Sequence, residues 1–143
     1  MIRPMVPGDL DRVAAIWLEG NLSAHSFIPA SWWRENLPLL REELPRAQVL
    51  VWEEKGVIRG FVGIQEGFVA GIFTAAGARG RGIGTALLLR CQELFPSLTL
   101  TVYEENPRAL ALYRRLGFTP VEKRPTQHPG HPEWVMAWKR TEG

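Results

Sequence analysis

The sequence predicts an α/β fold: a mixed, mostly antiparallel central sheet of about seven strands flanked by about four helices. Three observations predict it. Between Gln48 and Thr74, three strand-like runs separated by short turns make an antiparallel meander. From Phe68 to Tyr103 the order is strand, helix, strand, which needs a parallel crossover. Two closing strands then surround a Pro/His/Gly loop. At 143 residues, 45% hydrophobic and 22% charged, the chain can bury a core without disulfides or metal, as one domain over residues 1–143.

Ile2 to Met5 is the first strand. Asp9 to Glu19 sets Leu10, Val13, Ala14, Trp17 and Leu18 on one helical stripe; Ser31 is placed to cap a second helix running through Leu44, and Asn21 to Ala30 is the loop between them. Gln48 to Glu53 and Val57 to Gln65 are strands joined at Lys55-Gly56, and Phe68 to Thr74 follows the turn at Glu66-Gly67. Gly82 to Phe95 carries Ile83, Leu87, Cys91 and Leu94 at helical spacing, and Ser97 to Tyr103 alternates as a strand does. Asn106 to Leu116 is the fourth helix: Asn106 is a preferred N-cap, Pro107 suits the first helical position, and Gly117 suits the left-handed residue past the last turn. Phe118 to Lys123 and Glu133 to Trp138 close the sheet.

Composition narrows the ligand. Net charge is only +2, yet 14 of the 17 basic residues are arginine, whose fork of donors grips phosphate and carboxylate. With no lysine-rich run or basic tail, a small phosphate-bearing ligand fits better than a nucleic acid. The most apolar stretch, Gly67 to Ala78, is shorter than the roughly 20 residues of a membrane-spanning helix, so no membrane association is expected. Nothing near Met1 resembles an export signal, and Cys91 has no second cysteine to pair with. Both point to a reducing, cytoplasmic setting.

The most informative segment runs from Thr74 to Thr85. Glycines at 80, 82 and 84 clear side chains from the start of a helix whose N–H groups no Asp or Ser caps, and Arg79 and Arg81 add charged donors. A pyrophosphate is a fitting guest. A nucleoside-triphosphate loop is excluded because Ile83 stands where it needs lysine, and a dinucleotide fingerprint because Thr85 stands where it needs a third glycine. A tight turn holding no ligand is the alternative.

Arg79-x-x-Gly82-x-Gly84 resembles the acyl-CoA pyrophosphate loop of the GNAT superfamily of N-acetyltransferases. Asn106-x-x-Ala109-x-x-x-Tyr113-x-x-x-Gly117-Phe118 resembles that superfamily's second hallmark, in the right order and separation, and Ala15 to Phe27 is similar to small bacterial members of the YjaB type. The resemblance implies the GNAT fold and direct transfer of the acetyl group of acetyl-CoA to a primary amine of a small molecule or protein, with no covalent enzyme intermediate and no metal. It implies that the backbone of Ile72, Phe73 and Thr74 meets the pantetheine arm, that the segment Arg79, Gly80, Arg81, Gly82, Ile83, Gly84 and Thr85 holds the pyrophosphate, that Asn106 contacts the arm, and that Tyr113 protonates the departing thiolate. Read without it, Asn106 is a helix cap and Tyr113 a core aromatic.

Relatives often carry an acidic residue in the strand before the loop, where this chain has Ala70 and Gly71, so Glu66, His25 or water is left as the base. Acceptor contacts are expected from His25 and Phe27 with Trp33 nearby, and the scarcity of carboxylates in the loops 21–30 and 125–132 disfavours a polyamine. His128 and His131 without a neighbouring Cys or acidic cluster make a poor zinc site. A monomer or homodimer is expected. An inactive CoA-sensing module is the competing function.

Overall fold

A computed structural model describes residues 1–141. Its strands are β1 (Ile2–Pro4), β2 (Gln48–Glu54), β3 (Val57–Gln65), β4 (Phe68–Thr74), β5 (Ser97–Tyr103), β6 (Thr119–Arg124) and β7 (Glu133–Lys139). They form one sheet in the order β1-β2-β3-β4-β5-β7-β6, antiparallel except for β4 beside β5. The helices are α1 (Leu10–Ala24), α2 (Ala30–Glu43), α3 (Ile83–Leu94) and α4 (Pro107–Arg115). This is the expected architecture.

Alternation along the strands divides the core in two. Val49 and Val51 of β2 join Val13 and Ile16 of α1 on one face; Leu50, between them, joins Leu87, Leu88 and Cys91 of α3 on the other. Among the described residues no helix is long and apolar enough to cross a membrane.

Two expectations about the first helices are corrected. The stretch from Asn21 to Ala24 is the last turn of α1, not loop, so the connection to α2 is short. Gly20, which looks like a place for the helix to stop, stands inside it because any Cβ there would lie 2.6 Å from Cδ1 of Phe73. Nor does Ser31 cap α2: the helix starts at Ala30 behind Pro29, whose fixed φ already suits a helix entrance, and no side chain caps it.

The feature that builds the site is the quarrel between β4 and its two neighbours. Toward β3, β4 is paired along its length, but the register shifts between Gly63 and Ile64, leaving Ala70 as the extra residue of a bulge. Bulges bend and twist a strand. Toward β5, β4 pairs only at Phe68 with Thr99 and Val69 with Leu100. Beyond that point β5 stays on β7, through Thr101, Val102 and Tyr103, while β4 leaves it. A wedge opens through the sheet between Ile72–Thr74 and Thr101–Tyr103.

Candidate active site

The wedge holds a cavity of about 260 Å³, lined on the β4 side by Ala70 to Phe73, on the β5 side by Thr101 to Tyr103, and by Asn21, His25, Trp33, Asn106 and Tyr113 from the helices and their ends. It continues into a hollow of about 540 Å³ between α1 and the start of α4, which Ile72, Phe73, Thr74, Arg79, Gly80, Asn106 and Arg108 line. The backbone of residues 72–74 is unpaired toward β5, so its donors and acceptors face this space. An extended chain with amide groups could add there as a strand would.

At the outer end, α3 begins with Gly82 in the left-handed region at φ 80°, a conformation that costs residues with a Cβ about 1–2 kcal/mol. No side chain caps α3, and the amides of Ile83, Gly84 and Thr85 donate to no carbonyl among the described residues. Such an end attracts an anion. The loop is held from below by Ala75 and Ala78, both buried, and by Glu19, which accepts from the Ala76 amide at 2.7 Å. Of the two loop arginines only Arg79 lines the hollow; it donates to the Thr74 carbonyl and to Ser23 Oγ. Arg81 is turned away to Glu54, 2.6 Å distant. The Ile83 side chain is buried, so only its amide is on offer.

Deeper in, a polar chain crosses the wedge. Asn21, 2% exposed, donates through Nδ2 to the Trp17 carbonyl, which leaves Oδ1 to accept from His25 Nδ1 at 2.8 Å. With Nδ1 protonated, His25 Nε2 is an acceptor, and Asn106 Nδ2 donates to it at 3.3 Å. Asn106 Oδ1 in turn accepts from the Ala109 amide as the N-cap of α4. The cap and the ligand-facing reading of Asn106 thus coexist: one end of the amide caps, the other lies in the cavity. Neutral His25 suits this chain, and burial lowers its pKa from 6.5 to about 4.

A pH prediction follows from that shift. The unfolded chain protonates His25 near pH 6.5 and the folded protein only near 4, so its contribution is complete above pH 6.5 and is lost as pH falls toward 4. The Tm of the His25→Asn variant should therefore decline less steeply than that of the wild type between pH 7 and pH 4.5, by several degrees, in thermal melts. Parallel slopes would mean that His25 titrates alike in the folded and the unfolded chain.

Tyr113 is 7% exposed and lines the cavity beside Asn106, two helical turns earlier on the same face. Burial pushes its pKa up, and its hydroxyl has no hydrogen-bond partner among the described residues, so it meets the cavity protonated and free to donate. Glu66 is not part of this site: it sits in the β3–β4 turn, six residues and about 20 Å of strand from Ile72. His25 and Trp33 line the cavity, and Phe27 packs edge-on against His25 and Tyr103. His131 completes that aromatic cluster against Phe27, while His128 packs on Trp32. Arg114 and Arg115 are exposed at the end of α4 and do not line the hollow; Arg108 does.

Sequence reasoning missed Asn21, Tyr103, Thr101 and Glu133, all of which line the cavity. Only Asn21 left a trace, as a polar residue one turn after Trp17 on the buried stripe of α1.

Comparison with known proteins gives a consistent picture. Residues 13–118 match the acetyltransferase (GNAT) family. The chain is 41% identical over 140 residues to the peptidyl-lysine N-acetyltransferase YiaC of Escherichia coli K12, covering 96% of both chains. It is 29% identical over 109 residues to the peptidyl-lysine N-acetyltransferase YjaB of the same organism, covering 76% of this chain and 74% of that one. The solution structure of apo-form YjaB from E. coli superposes with a TM-score of 0.83 at 26% identity, over 96% of this chain and 95% of that chain.

Proposed function

The chain belongs to the GNAT acetyltransferase family and is an N-acetyltransferase, and from that premise we propose that its acceptor is the side-chain amine of a peptidyl lysine. The observation that carries the reading is the open wedge, which joins a hollow beside the uncapped start of α3 to a partly aromatic cavity that Tyr113 lines. A flexible aliphatic stem ending in an amine fits such a cavity better than a bulky polycation does. The relation to YiaC, whose name specifies peptidyl-lysine, supports the choice.

In this reading the amides of Ile83, Gly84 and Thr85 with Arg79 hold the pyrophosphate of acetyl-CoA, and the free edge of Ile72–Thr74 hydrogen-bonds its pantetheine arm. An amide of Phe73 or Thr74 faces the thioester oxygen, where negative charge develops during attack. Asn106, oriented by His25, steadies the arm. The lysine ammonium first gives one proton to solvent; the neutral amine nitrogen then bonds to the thioester carbon, the C–S bond breaks, and the Tyr113 hydroxyl gives its proton to the sulfur, while the second proton shed by the nitrogen as it becomes an amide restores Tyr113 through solvent. Cys91 does not intervene, since it is fully buried on α3 and burial pushes its thiol up to about 11. A lone, buried thiol also supports a cytoplasmic setting.

CoA release measured with a lysine peptide, α-blocked lysine, spermidine and an aminoglycoside tests the acceptor class. The lysine peptide should give the largest kcat/KM, by at least tenfold. Preference for the polycations would overturn the lysine reading.

A further inference from the structure

We propose that Glu133 is the acceptor-side carboxylate of this enzyme, receiving the ammonium of the incoming lysine at the wall of the wedge opposite β4. The inference rests on the lysine reading above and adds the residue that would select for it.

The β4 wall carries no charged side chain, since Ala70 and Gly71 stand there. Ala70 is the bulged residue, and at Gly71 any Cβ would lie 2.7 Å from Cε2 of Phe73, so no acidic residue fits without moving that ring. Glu133 opens β7 directly across from Tyr103 of β5, and it lines the same cavity as Tyr113. Its side chain is only 19% exposed, yet among the described residues it accepts no hydrogen bond, and its one ion pair is a loose contact with Arg124 Nε at 3.9 Å. A carboxylate so far withdrawn from water needs a cation close by. Arg124 is half exposed and can stay in solvent.

Nothing else in the cavity competes for the role. Besides the two tyrosines, the other ionisable side chain lining it is His25, engaged at both ring nitrogens and kept neutral. Glu133 also acts on its surroundings: burial first, and its charge second, raise the pKa of Tyr103. The faces of Tyr103, His25 and Trp33 are suited to an aliphatic stem and attract a cation. Trp33 is 6% exposed, and its indole N–H is buried without a partner. The cavity therefore offers a carboxylate whose one ion pair is loose, as a site awaiting a cationic ligand does.

The test measures binding to the CoA-saturated protein of a lysine peptide and of the same peptide with norleucine in place of lysine, an isosteric stem without the charge. Wild type should prefer the lysine peptide at least tenfold, Glu133→Gln should reduce that preference to within twofold, and Glu133→Asp should restore part of it. CoA affinity should be the same in all three, which shows that they are folded. A preference that survives in Glu133→Gln, or that wild type does not have, overturns the inference. If wild type acetylates the lysine peptide while either result holds, the lysine reading stands and only Glu133 is wrong; if it acetylates other amines and never lysine, the reading falls and takes Glu133 with it.

Discussion

Replacing Gly82 by Glu should weaken acetyl-CoA binding at least 100-fold, the larger of the two strongest effects the site implies. Two causes combine. The new carboxylate stands at the uncapped start of α3, where an anionic ligand and a fixed negative charge compete for the same amides. The residue also sits at φ 80°, so a side chain strains the loop by about 1–2 kcal/mol. Steric blockage of the fold is not the cause, since a Cβ at this position meets nothing within 4 Å. Gly82→Asn separates the two, because asparagine tolerates the left-handed region and is neutral; it should lose no more than about tenfold. Titration calorimetry with CoA reads both. Equal, unchanged affinities would show that this loop does not hold the cofactor.

The second large effect is on turnover. Tyr113→Phe should lower kcat by about 10²-fold or more while the dissociation constant for acetyl-CoA stays within a few fold, the size expected for a lost general acid. Fold stability should hardly change: the hydroxyl makes no hydrogen bond among the described residues, and the ring keeps its tilted packing on Phe118, 5.9 Å between centroids. The measurement must be made where chemistry limits, checked by single-turnover kinetics. An unchanged single-turnover rate would return Tyr113 to the core as a packing residue.

Local signals in the chain carried most of the fold. Strand-like runs between turn residues placed β3 and β4, and alternation placed β5, at their observed ends, and the pairing of Asn106 with Gly117 bracketed α4 because a cap and a left-handed exit are local chemistry. What failed locally was overruled at a distance. Gly20 is kept in the interior of α1 by a ring on β4, and Pro29, not Ser31, sets the start of α2. The cofactor half of the site is likewise a continuous segment, so its glycines could be read directly. The acceptor half is assembled by register: Glu133 reaches the cavity because it lies opposite Tyr103, and His25 meets Asn106 across 81 residues of chain. No spacing rule announces such contacts. The absent acid at Ala70 and Gly71 was visible, but its counterpart on β7 required the sheet order.

Two-substrate initial-rate kinetics with acetyl-CoA and a lysine peptide, with the product located by mass spectrometry, test most directly the claim that acetyl passes straight from acetyl-CoA to a lysine amine within one wedge. Direct transfer predicts intersecting double-reciprocal lines, acetylation on the lysine Nε, and no acetylated protein when acetyl-CoA is supplied without peptide. Parallel lines together with an acetyl group retained on the enzyme would contradict it.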